Sequence, residues 1–95
     1  MLICAMELTI HLPDAASLKE TRQVAKSLIA RLQRRFGLSA AEVDRQDNRQ
    51  ILVLGIAVVT GARQPGEQIL EHALRFVEEE LLGRGEVIAV DRQLR

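Results

Sequence analysis

Residues Ile51 to Thr60 are apolar at almost every position, so both sets of alternate side chains avoid water. A segment this long, with Asp47-Asn48-Arg49 as a turn signal before it and Gly61 after it, reads as a strand. A strand apolar on both faces belongs in the middle of a sheet, where both faces are at least partly covered. The rest of the chain therefore has to supply flanking strands and a layer of helices.

Residues 2–12 supply one flank. Leu2, Cys4, Met6, Leu8, Ile10 and Leu12 alternate with Ile3, Ala5, Glu7, Thr9 and His11, the period of two of a strand with one face on a core. Pro13-Asp14 ends it. Ser17 and Glu20 then form a capping box. In it the serine oxygen accepts from the Glu20 amide, and the glutamate reaches back to the Ser17 amide. Leu18, Thr21, Ala25, Leu28, Ile29, Leu32 and Phe36 recur at spacings of three and four, with Val24 at the edge, which is one apolar face of a helix. Gly37 stands where a left-handed cap is wanted, and Arg34 and Arg35 suit the negative end of the helix dipole.

A second stripe of Ile69, Leu70, Ala73, Phe76, Val77 and Leu81 marks a second helix, with Pro65 placed as its first residue. Gly83-Arg84-Gly85 stops it. Two more polar segments complete the chain. Residues 40–46 read as a strand with Ala41 and Val43 on the inner face, and Glu86 to Arg92 as another, with Val87 and Ala89 alternating against Ile88 and Val90. Their charge suits sheet edges, where it blocks unwanted pairing. The order is strand, helix, strand, strand, helix, strand. Right-handed crossovers leave a gap between the first two strands for the third to fill. The predicted fold is α+β: a ferredoxin-like βαββαβ sandwich, sheet order 4-1-3-2, antiparallel, with two antiparallel helices on one face. The 95 residues are expected to form one such domain, residues 1–95.

Composition excludes several functions. Thirteen basic side chains balance thirteen acidic ones, so the chain lacks the overall excess of a strong nucleic-acid binder, and DNA is not an expected partner. The only aromatics, Phe36 and Phe76, sit on helix core faces, which removes the base-stacking platform that RNA-recognition domains build on this fold. The connection from His11 to Ala16 has neither glycine nor arginine, against acylphosphatase-type chemistry. Cys4 is the single cysteine, so no disulfide framework, iron–sulfur cluster or Cys-x-x-Cys metal site is expected. Its place in the alternating run makes it a buried thiol. No catalytic residue, cofactor or metal site is expected. No run is long enough to span a bilayer, the start lacks the basic region of a signal peptide, and the expected location is the cytoplasm.

Three candidate surfaces remain. The first helix carries Lys19, Arg22, Lys26, Arg31, Arg34 and Arg35 against Glu20, a net of +5. These are either a docking surface for phosphate or an acidic partner, or a solvated face whose stems cover the core edge. The second helix is acidic and lies beside it. On the sheet side away from the helices, Ile3, Ala5 and Thr9 would join one parity of the third strand, such as Val53 and Ala57, in an apolar patch. Such patches mark interfaces, and a homo-oligomer is expected there. Finally, Glu42 and Asp44 share a face of the second strand, with Asp47 in the turn. They could gather a small molecule or cation, guard an edge, or pair with Arg45 and Arg49. His11 and His72 lack ligand spacing and read as boundary or surface residues.

Ser17-Leu18-Lys19-Glu20 with Arg22, Ala41-Glu42-Val43-Asp44 with Gln46-Asp47, and Gly55-Ile56-Ala57 together resemble the YlxP-like family of small, functionally uncharacterised bacterial proteins. Length and element order resemble it too, across the whole chain. The resemblance implies the same ferredoxin-like fold. The family's genes often lie among those for translation initiation and ribosome maturation, which implies a role linked to structured RNA or the ribosome. Thr21 stands where the family usually has a basic residue, and Asn48-Arg49 where its turn often has an aromatic. The expectation is a non-catalytic module docking on RNA or the ribosome through the six cations of the first helix. The alternative is an oligomeric interaction module using the open sheet face, without nucleic acid.

Overall fold

A computed structural model describes residues 1–44 and 47–95. The elements are β1 (Leu2–His11), α1 (Leu18–Phe36), β2 (Ser39–Asp44), β3 (Ile51–Thr60), α2 (Arg63–Glu80) and β4 (Glu86–Leu94). The strands form one antiparallel sheet in the order β2-β3-β1-β4. This is the ferredoxin-like arrangement expected from the pattern of apolar runs. Arg45 and Gln46, the expected end of the second strand, lie outside the described residues.

β1 and β3 pair along their whole length, from Leu2 opposite Thr60 to His11 opposite Ile51. Opposed residues share a face, so Cys4, Met6, Leu8 and Ile10 line up with Val58, Ile56, Leu54 and Leu52 beneath the helices. They meet Val24, Ala25, Leu28 and Leu32 of α1 and Leu70, Ala73, Phe76 and Val77 of α2 in one core. Cys4 is 1% exposed within it. Both parities of β3 are apolar, and only this register decides which of them faces water. The open set is Ile51, Val53, Gly55, Ala57 and Val59.

The ends of α1 follow the capping signals. Ser17 Oγ accepts from the Glu20 amide at 3.1 Å, and the Glu20 carboxylate accepts from the Ala16 amide at 3.0 Å, one residue earlier than expected. Gly37 is left-handed at φ 62° and donates to the Gln33 carbonyl. α2 instead begins at Arg63, so Pro65 is its third residue. Proline is tolerated there because no amide of the first turn has a partner inside the helix. Gly66 lets this turn press onto the sheet, because a Cβ there would lie 2.5 Å from both Cys4 Sγ and Thr60 Cγ2.

The edge strands depart from strict alternation. The pairing of β2 with β3 shifts between Glu42 and Asp44, and that of β4 with β1 shifts at Thr9 and Ile10. Each shift inserts one unopposed residue, Val43 or Ile88, and reverses the faces beyond it. Ala41, opposite Gly55, therefore lies on the open face, and Ala40 and Glu42 take the inner positions expected of Ala41 and Val43. Likewise Val87 turns to the core while Ala89, opposite Thr9, turns outward.

Two measurements check this arrangement. Leu28→Ala should cost about 2–5 kcal/mol in a urea titration, whereas Leu18→Ala, at a half-exposed position, should cost no more than about 1 kcal/mol. Arg92 of β4 donates to Glu71 of α2 at 2.7 Å, and that hydrogen bond, with its charge, holds the Glu71 carboxyl below its ordinary value. Such a group stabilises the fold above its unfolded-state value and ceases to as pH falls through the depressed one. Glu71→Gln should therefore lower the melting temperature near neutral pH, and the difference from wild type should vanish in acid.

Candidate functional site

The six cations of α1 do not form one patch. At about 100° and 1.5 Å per residue they are spread over three sides of a helix and about 24 Å of its length. Arg22 turns toward β2, where its guanidinium bonds Glu42 at 3.0 Å; that carboxylate side chain is only 10% exposed. Arg31 turns toward α2 and bonds Glu80 at 2.5 Å. Arg35 lies over both phenylalanine rings, 5.6 Å from the centroid of Phe36 and 5.1 Å from that of Phe76. The rings meet edge to face at 5.7 Å. Lys19, Lys26 and Arg34 remain exposed on the outward ridge.

The open face of the sheet is more continuous. Across it, Ile3 lies beside Val59, Ala5 beside Ala57, Glu7 beside Gly55, Thr9 beside Val53 and His11 beside Ile51. All five residues expected at an oligomer contact, Ile3, Ala5, Thr9, Val53 and Ala57, are on this side. Val53 is only 6% exposed between its neighbours, whereas Val59 is 64% exposed. A shallow depression of about 490 Å³ opens in the middle. Its floor is made of Ala5, Ala41, Gly55 and Ala57, small residues on three adjacent strands. Val43 leans over that floor, its Cγ1 2.6 Å from where a Gly55 Cβ would sit. On the β4 side the face turns acidic, with Glu7 directly opposite Asp91, a like-charge pairing that costs stability in a sheet.

The expected carboxylate group is not assembled. The bulge at Val43 puts Glu42 on the helix side and Asp44 on the open side, opposite Val53, so they do not share a face. Among the described residues no three His, Cys, Asp or Glu side chains come together as a metal site. The expected pairing with Arg45 lies outside the described residues. Arg49 instead donates to the Ala15 carbonyl at 2.9 Å. His11 is half-buried and His72 exposed.

The sequence pattern did not reveal a latch between the β2–β3 turn and the start of α1. Thr21 is 3% exposed, and its one hydroxyl proton lies between the carbonyls of Arg49, the nearer, and Ser17. Gln50 closes the same region from both sides. Its carbonyl accepts from the Leu12 amide at 2.7 Å and its side chain donates to the Pro13 carbonyl at 3.2 Å. The available signal was a threonine inside an apolar stripe, since a buried hydroxyl needs a partner. Thr21 and Arg49 are thus hydrogen-bonded to each other.

Four antiparallel strands under two helices make this a ferredoxin-like protein. A family model described as "Protein of unknown function (DUF503)" matches residues 3–92, and the chain belongs to that family. It is 40% identical over 65 residues to the uncharacterized protein YlxP of Bacillus subtilis (strain 168), across 68% of this chain and 71% of that one. Among solved structures it is similar to a de novo designed protein with a ferredoxin fold, at a TM-score of 0.68 and 19% identity, covering 100% of this chain and 86% of that one. A mutant of SnoaB, a cofactor-independent oxygenase from Streptomyces nogalater, aligns at a TM-score of 0.52 and 14% identity, covering 99% and 89%. At such identities the likeness is one of fold. No helix among the described residues is long and apolar enough to cross a membrane.

Removing the Thr21 hydroxyl tests the latch. Thr21→Val keeps the shape and deletes the donor, and should cost about 1–2 kcal/mol in denaturant. Amide exchange in residues 48–50 should rise with it; unchanged exchange would separate the turn from the helix.

Proposed function

We propose that this chain is a non-catalytic interaction module that works as a homo-oligomer, held together through the open face of its sheet. The observation that carries this reading is the register of β1 on β3. It turns Ile3, Ala5, Ile51, Ala57 and Val59 to the side away from both helices. With Ala41 and Val43 of β2 they make an apolar surface over the β2–β3 half, with Asp44 at its edge and Val53 buried within it. Glu7 and Asp91 lie on the other half, where charges at the rim of an interface stay hydrated.

Size supports a second copy as the occupant. Strands of ten, six, ten and nine residues, about 4.8 Å apart at about 3.3 Å per residue, present a flat area of about 550 Å². That is of the same order as the ~800 Å² per partner of a standard stable interface. Self-association would also add to the limited burial available to a chain of this length. Against a catalytic reading, the floor of the central depression is alanine and glycine, and the one thiol lies in the core on the other side of the sheet.

Sedimentation measures the outcome. Wild type should sediment as a dimer or larger species at high micromolar concentration. Val59→Lys, at an exposed position on the face, should weaken association at least tenfold, about 1.4 kcal/mol, without changing the melt of the dilute protein. A wild-type monomer at high micromolar concentration overturns the proposal.

A further inference from the structure

Where the C-terminal ends of α1 and α2 meet, a notch of about 230 Å³ is lined by Arg31, Arg34, Arg35 and Phe76. Two of the three guanidinium groups are already positioned. Arg35 is held over the rings of Phe36 and Phe76, and Arg31 is bonded to Glu80. Arg34 is exposed, and among the described residues neither Arg34 nor Arg35 pairs with a carboxylate. Three cations thus line one small concavity, Arg31 being paired with Glu80, and the Phe76 ring forms an apolar wall on one side. Like charges gathered this way repel one another, and an anion among them removes that repulsion.

The donor set specifies the kind of anion. A guanidinium fork matches the oxygen spacing of phosphate and bonds it with two parallel N–H groups. Arg35 loses little further freedom on binding because stacking has already restricted it. The notch is smaller than the 300–1,000 Å³ typical of whole drug-sized ligands, which suits a charged group rather than an entire molecule. We infer that this notch binds a phosphate group of a phosphorylated ligand, with Arg34 and Arg35 as donors and Arg31 adding charge. The site lies on the helix side of the sheet, so it is independent of self-association through the open face.

The test is titration of inorganic pyrophosphate, ADP and a short single-stranded RNA into the protein at low salt, followed by NMR of the backbone amides and the arginine Nε–H groups. Saturable shifts should be confined to residues 31–36 and 76–80. Arg34→Gln should weaken pyrophosphate binding about tenfold, or 1.4 kcal/mol, with an unchanged melt. Arg75→Gln removes the same charge from the exposed side of α2 and should change the affinity less than twofold. Tighter binding of RNA, with steep salt dependence, supports the notch and names a nucleic-acid backbone as the source; tighter binding of ADP or pyrophosphate supports it and names a free diphosphate. Shifts spread over every cation, equal losses in the two variants, or no saturation in the millimolar range overturn it.

Discussion

The unbroken antiparallel register of β1 on β3 is the constraint on which the rest of the structure depends. Ten residues of each strand are opposed without a bulge. Because side chains alternate with a period of two, a slip of one residue would exchange the buried and open sets of one strand relative to the other. β1 does not tolerate that exchange, since its inner set is Cys4, Met6, Leu8 and Ile10 while its outer set contains Glu7 and His11. β3, apolar on both faces, would tolerate either. The patterned strand fixes its own orientation, and the observed register against it decides which parity of β3 forms the open surface.

The helices are held to this sheet by a few close contacts around a continuous apolar core. Gly66 admits the first turn of α2 to within van der Waals distance of Cys4 and Thr60. Thr21 and Arg49 tie the start of α1 to the β2–β3 turn, so the edge strand β2 is anchored at that end by polar bonds. At the opposite end the edge-to-face rings of Phe36 and Phe76 join the two helices, and Arg35 closes over them.

Charge is organised by these contacts rather than by net composition. The +5 of α1 divides between a pair with Glu42, a pair with Glu80, a stack on two rings and an exposed ridge. A helix that looks uniformly basic in sequence has one end where three arginines converge, one of them paired with Glu80, and another where Arg22 is paired with Glu42. The two surfaces that emerge, an apolar sheet face and an arginine notch, lie on opposite sides of the sheet and are available to different partners.

The sequence by itself determined the six elements, their order, both ends of α1 and nearly all of the core. Those features rest on local periodicity and capping, which short windows of residues encode. Tertiary structure alone decided three things. It selected the open parity of β3, because pairing with β1 lies forty or more residues away in the chain. It inserted the bulges at Val43 and Ile88, which reversed the faces of Ala41 and separated Glu42 from Asp44, because a bulge leaves a strand's composition unchanged. And it dispersed the six cations of α1, because the position of a carboxylate on β2 or α2 relative to that helix is a property of packing, not of spacing along the chain.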